Sequence, residues 1–72
     1  MKDARKFILE YIHQNDDPVT TRKMMNTLLE SEYSRQEAWQ ALESLEHEGH
    51  ISLLGGKWFL TSSGMELMGW IV

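Results

Sequence analysis

The sequence predicts a small, mostly α-helical domain with a small β element: a three-helix core, a two-stranded hairpin and a C-terminal helix. Three observations support this fold class. Apolar residues recur at helical spacing in three segments before residue 49. Two short β-prone runs then flank the pair Gly55-Gly56. The chain has 72 residues, a length that suits one domain spanning residues 1–72, and its one Pro and five Gly lie near predicted element ends.

Helix one is predicted from about Lys2 to His13. We expect Asn15 to end it, because asparagine adopts the left-handed conformation that closes many helices. A turn follows at Pro18, and Val19 is expected to form a short extended bridge that pairs with the later hairpin. The apolar stripe of helix one consists of Ala4, Phe7, Ile8, Tyr11 and Ile12.

Capping residues introduce helices two and three. Thr20 or Thr21 is expected to cap helix two. Ser34 and Glu37 form a capping box, in which each side chain satisfies a backbone donor at the other position. Gly49 is placed to end helix three in a left-handed cap. The predicted apolar faces are Met24, Met25, Leu28 and Leu29 in helix two, and Ala38, Leu42 and Leu45 in helix three.

The hairpin is predicted from two short runs, Ile51–Leu54 and Lys57–Leu60. The intervening Gly55-Gly56 favours a two-residue turn of the primed type. Thr61 is expected to cap a short last helix from Met65 to about Ile71. The hairpin residues expected to face the core are Ile51, Leu53, Trp58 and Leu60.

Two motifs on either side of the hairpin resemble those of winged helix-turn-helix domains. SLEHEGHI, from Ser44 to Ile51, is similar to the end of many bacterial recognition helices, where a leucine, charged residues, a glycine and an isoleucine follow one another. FLTSSG, from Phe59 to Gly64, is similar to the leucine, threonine, two residues, glycine sequence found after the wing. The order of elements extends the resemblance over the whole chain. It implies a small prokaryotic or phage-type DNA-binding regulator of transcription.

The resemblance implies that helix 34–48 is the recognition helix. Gln can bond adenine and Arg can bond guanine through paired hydrogen bonds. The residues expected to meet base edges are therefore Arg35, Gln36 and Gln40. Those expected to hold phosphates are Arg22, Lys23 and Lys57.

The charge distribution keeps a second function open. The net charge is -4, with 7 basic and 11 acidic residues, whereas dedicated nucleic-acid binders are more often basic. Between Ser34 and Gly64 the cations are Arg35 and Lys57, against the glutamates Glu37, Glu43, Glu46 and Glu48. The alternative is a winged-helix module that docks a protein partner and does not bind nucleic acid. Its contact residues would be Trp39, Leu54, Phe59 and the C-terminal tail.

The C-terminal tail is apolar on nearly every side, more than a short helix can bury against a thin domain. We expect a homodimer to cover it. The alternative is that the tail folds back over helix one and fills the core of its own domain. The expected interface residues are Met68, Trp70, Ile71 and Val72.

Other classes of function have no support in the sequence. The chain has no Cys, and its three His fall on different elements, so no metal site is expected. There is no phosphate-binding loop and no evident nucleophile–base pair, so we expect neither an enzyme nor a cofactor. No segment approaches the roughly 18 apolar residues of a membrane span. The sequence therefore predicts a cytoplasmic protein without a membrane partner.

Overall fold

The structure is a computed structural model that describes residues 3–15 and 17–70. This part of the chain is mostly helical, with a small antiparallel sheet of three strands, which confirms the expected helical domain with a small β element. None of the described helices has the length and apolar character needed to cross a membrane. The elements are α1 (Ala4–Gln14), β1 (Val19–Thr20), α2 (Thr21–Glu30), α3 (Arg35–His47), β2 (Ile51–Leu54), β3 (Lys57–Leu60) and α4 (Ser62–Leu67).

Each of the four helices begins at a side-chain cap. The predicted capping box is present: the Ser34 hydroxyl accepts from the Glu37 N–H at 3.1 Å, and the Glu37 carboxylate accepts from the Ser34 N–H at 3.0 Å. Thr20, not Thr21, caps α2. Thr61 accepts from the Gly64 N–H at 3.1 Å, so α4 begins directly after it instead of at the expected Met65. The caps in chain order are Asp3, Thr20, Ser34 and Thr61.

Three of the helices end on a residue with positive φ, as predicted for Gly49. After α3, the His50 N–H donates back to the Leu45 carbonyl at 2.9 Å, and the Gly49 N–H donates to the Glu46 carbonyl at 3.0 Å. These two bonds form a Schellman motif. The same pattern closes α2 and α4, and the residues with positive φ are Glu32, Gly49 and Gly69.

Asn15 ends α1 as expected, but the predicted left-handed conformation is wrong. Asn15 has φ -87° and ψ 126°, which is extended backbone and not the left-handed conformation. Its side-chain amide donates to the Tyr11 carbonyl at 2.8 Å, and its backbone N–H donates to the same oxygen. Because that carbonyl is satisfied, the chain can leave the helix in an extended direction toward β1.

The sheet is built around β3, which lies between β1 and β2. Val19 pairs with Trp58, which confirms the expected bridge from the segment after α1 to the hairpin. Gly55 and Gly56 have φ of 58° and 77°, the backbone of the predicted primed turn. Trp58 also pairs with Leu53 on its other side, so Trp58 lies at the centre of the sheet.

The core lies between the helices and one face of the sheet. Ile51 and Trp58 are buried there as expected, and Leu60 is half-buried. Leu53 is 40% exposed, contrary to expectation. It shares the face of Ile51 but lies two residues nearer the turn, about 7 Å further along the strand, where the hairpin extends past the buried cluster. The largest fully buried side chains are Ile8, Leu9, Val19, Met24, Leu28, Leu42, Leu45 and Ile51.

Gly64 allows α4 to lie directly against the start of the hairpin. A Cβ atom at Gly64 would lie 2.2 Å from the carbonyl oxygen of His50 and 3.1 Å from its carbonyl carbon. The Thr61 N–H donates to that same oxygen at 3.2 Å, which holds the two backbone segments together. The glycine of FLTSSG is therefore required by backbone contact.

We predict that Gly64→Ala lowers the free energy of unfolding by about 2–3 kcal/mol, because the neighbouring backbone must move to admit one methyl group. Urea denaturation followed by tryptophan fluorescence measures this change. Ser62→Ala, an exposed substitution in the same turn, is the control and should change stability by less than about 0.5 kcal/mol. Equal stability of the two variants would contradict the close approach.

Candidate nucleic-acid interface

The turn between α2 and α3 is anchored in the core by Tyr33. Its side chain is 8% exposed, and its ring lies against that of Phe7, with centroids 5.5 Å apart. The residue before it, Glu32, has φ 72° and closes α2. Ser34 then caps α3. The two helices are thus joined by a short connection whose backbone is fixed at three successive residues.

The solvent-facing side of α3 brings together the residues expected to read bases. Arg35 is the first residue of the helix and is exposed. Gln36 and Gln40 are exposed one turn apart, so they share a face. The opposite face is buried in the core and consists of Ala38, Ala41, Leu42 and Leu45. The first two turns of α3 therefore present Arg35, Gln36 and Gln40 to solvent, with Trp39 also exposed among them.

The expected phosphate-binding residues lie around the first turn of α2. Arg22 is exposed and Lys23 is half-buried in that turn. Lys57 is 34 residues further along the chain than Lys23, yet it pairs with Thr20, the residue that caps α2. None of Arg22, Lys23 and Lys57 forms an ion pair with another described residue. The sheet therefore adds a third cation to the N-terminal end of α2.

Two glutamates, Glu37 in α3 and Glu48 at its C-terminal cap, interact with other groups of the protein. Glu37 is turned back onto the helix start, where it accepts from the Ser34 N–H. The positive end of the helix dipole compensates a carboxylate at that position. Glu48 pairs with Arg5 of α1 and accepts from the Ser44 hydroxyl at 3.3 Å. Glu43 and Glu46 remain exposed in the C-terminal half of α3.

The net repulsion of a phosphate by α3 is therefore uneven along the helix. Glu43 lies eight residues after Arg35, which corresponds to about 12 Å along the axis. The N-terminal half carries Arg35 and an engaged Glu37, whereas the C-terminal half carries exposed carboxylates. An anion that approaches α3 is favoured at its N-terminal end.

The outer face of the hairpin exposes two large apolar side chains beside Lys57. Leu54 is 63% exposed and Phe59 is 43% exposed, as expected for residues on the outer face. The sequence did not predict the exposure of Leu53, which lies on the opposite face of the hairpin with Ile51 and Trp58. Its position near the turn was the available indication. Trp39 on α3 is also exposed, as the interaction-module hypothesis requires.

The described part of the tail lies on its own chain. Met68 and Trp70 are half-buried and pack against the core. The Trp70 ring stacks on His13 of α1, with centroids 4.0 Å apart and planes 12° apart. Ile71 and Val72 lie outside the described residues. A homodimer through the tail therefore stays a prediction, and Met68 and Trp70 already have contacts within the chain.

Comparison of the chain with protein-family models, curated proteins and solved structures finds no match. Within the described residues, no three metal-binding side chains converge on one point. The assignment of a function therefore depends on the geometry of the α2–α3 pair and on the charges around it.

We predict that Ser34→Ala lowers the free energy of unfolding by about 1 kcal/mol, because the Glu37 N–H loses its acceptor at the start of α3. Amide hydrogen exchange should also become faster at Glu37. Ser34→Asp keeps an acceptor in place and is the matched control, with an expected change below about 0.5 kcal/mol. If Ser34→Ala is as stable as Ser34→Asp, the capping box does not hold the start of α3.

Proposed function

We propose that this chain is a winged helix-turn-helix protein that binds double-stranded DNA and regulates transcription in the cytoplasm. Helix 34–48 acts as its recognition helix. One observation carries the proposal: exposed residues able to bind bases occupy the N-terminal half of α3, while three cations that pair with no described residue surround the first turn of α2. The base-reading residues are Arg35, Gln36 and Gln40, and the cations are Arg22, Lys23 and Lys57.

The charges support insertion of α3 by its N-terminal end. Recognition helices of this class contact base edges mainly with their N-terminal residues. In that orientation Glu43 and Glu46 lie in the C-terminal half of α3, away from the DNA, and Glu37 still accepts the hydrogen bond from the Ser34 N–H. The repulsion that the net charge of -4 would otherwise cause is reduced at the point of contact.

Phosphate binding at α2 follows from the helix terminus and the neighbouring cations. The first N–H groups of a helix and its dipole favour an anion. Arg22 and Lys23 add positive charge within that turn, and Lys57 adds it from β3. Because the hairpin turn has two residues, Lys57 contacts a phosphate near the sheet and does not reach into a minor groove.

A second function is favoured by the exposed apolar side chains. Trp39, Leu54 and Phe59 are each more than 40% exposed, and the acidic net charge weakens any general attraction to DNA. Such a surface is typical of a module that docks a protein partner. This alternative predicts no measurable binding to DNA at any salt concentration.

Titration of labelled mixed-sequence duplex DNA, followed by fluorescence anisotropy, separates the two functions. With the three phosphate-binding cations Arg22, Lys23 and Lys57, the slope of log affinity against log salt is expected to be about -3. Affinity should then fall about 40-fold between 50 and 200 mM salt. The absence of binding at 50 mM salt would falsify the DNA proposal and favour the protein-docking module.

Variants test the roles within the interface. The double variant Arg22→Ala/Lys23→Ala should weaken binding to all sequences and reduce the salt slope by about 2. Gln36→Ala/Gln40→Ala should instead reduce the preference for a selected sequence while leaving the slope unchanged. Lys6→Ala removes one exposed cation, on α1, and is the control, with no expected change in sequence preference or salt slope. A selected-site preference that survives loss of both glutamines contradicts the assigned reading face.

A further inference from the structure

The strand β2 forms one edge of the sheet. The strand order is β1-β3-β2, so β1 forms the other edge. β1 has two residues and runs directly into α2, whereas β2 has four residues and ends at the hairpin turn. Among the described strands, only β2 therefore offers an extended run of backbone at an open edge to another strand.

The peptide groups of Leu53 face away from the sheet. Leu54 and Lys57 flank the two-residue turn, and the pair next to such a turn exchanges both of its backbone hydrogen bonds. Bonded and non-bonded pairs alternate in an antiparallel ladder, so Leu53 and Trp58 form a non-bonded pair. The N–H and carbonyl of Leu53 are thus directed to the open edge. They form no hydrogen bond with described residues elsewhere in the chain.

The usual protection of an edge strand is missing from the hairpin. Edge strands are commonly blocked by charged side chains, proline or a bulge. The segment Ile51–Gly56 has no charge and no proline, and its pairing with β3 is continuous. Its exposed side chains are Leu53 at 40% and Leu54 at 63%.

We propose that β2 pairs with β2 of a second copy of this chain. The two strands run antiparallel about a twofold axis at Leu53 and join two three-stranded sheets into one of six strands. The Leu53 N–H of each copy donates to the Leu53 carbonyl of the other. The two Leu53 side chains then contact each other on the sheet face that Ile51 and Trp58 share.

The lack of charge along β2 lets a second copy approach this edge at low electrostatic cost. Two copies with a net charge of -4 repel each other, and a twofold axis brings every charge near the axis close to its own equivalent. The uncharged segment Ile51–Gly56 is a surface on which that cost is small. Because β1 runs directly into α2, the pairing closes at two copies and does not continue into a fibre.

The dimer is expected to be weak. One edge strand buries less than the roughly 1,200 Å² of a standard interface, so we expect a dissociation constant of about 10–500 µM. This contact is separate from the tail, and it does not depend on DNA binding.

Sedimentation equilibrium of the full chain between about 10 µM and 1 mM tests the proposal. The unmodified chain should shift from monomer to dimer over this range. Leu53→Lys places like charges opposite each other and should raise the dissociation constant at least about tenfold. Leu67→Lys makes the same change at another exposed leucine, on α4, and should leave the dissociation constant unchanged. A monomer at every concentration, or equal dimerisation of Leu53→Lys and the unmodified chain, overturns the proposal.

Amide hydrogen exchange on the unmodified chain provides a second readout that requires no variant. Exchange at Leu53 should be about 3- to 15-fold slower at 1 mM than in dilute solution, as a dissociation constant of about 10–500 µM implies. Leu54, which bonds within the hairpin, should be protected equally at both concentrations. Leu53 exchange that does not depend on concentration contradicts the pairing. A chain that ends at Gly69 should still dimerise; loss of the dimer in that chain, with retention in Leu53→Lys, would assign the interface to the tail instead.

Discussion

The indole of Trp58 connects the sheet to the α2–α3 pair, and the remaining geometry depends on it. Trp58 pairs with Val19 on one side and Leu53 on the other, and it is 4% exposed. The indole N–H donates to the Thr21 hydroxyl at 2.9 Å, and Thr21 is the first residue of α2. A buried donor without an acceptor costs about 1–3 kcal/mol, so this bond fixes where α2 begins relative to the sheet. The same register places Lys57 beside the cap of α2.

The parts of the fold that the sequence predicted depend on neighbouring residues. The capping box at Ser34, the left-handed Gly49 and the primed turn at Gly55-Gly56 each involve contacts within a few positions. The role of Gly64 depends instead on a carbonyl 14 residues earlier in the chain, which comes close only when α4 packs against the hairpin. Asn15 shows that even a local signal has alternatives, since its side chain satisfies the same carbonyl without left-handed backbone.

The candidate site was predictable in its residues but not in its electrostatics. A count of charges treats every glutamate alike. In the folded chain Glu37 lies on its own helix cap and Glu48 pairs with Arg5, so these carboxylates do not oppose an anion as Glu43 and Glu46 do. The burial of Trp70 against His13 was likewise open from sequence, because an apolar tail fits either its own core or a second copy. These differences depend on contacts between distant segments.

In the proposed interface, the N-terminal ends of α2 and α3 form one surface that binds DNA. Chemical-shift mapping of the ¹⁵N-labelled chain during titration with duplex DNA at low salt tests it most directly. We expect the largest shift changes at Arg22, Lys23, Arg35, Gln36 and Gln40, with smaller changes at Glu43 and Glu46. Changes confined to Leu53, Leu54 and Phe59, or the absence of any change, would contradict the claim.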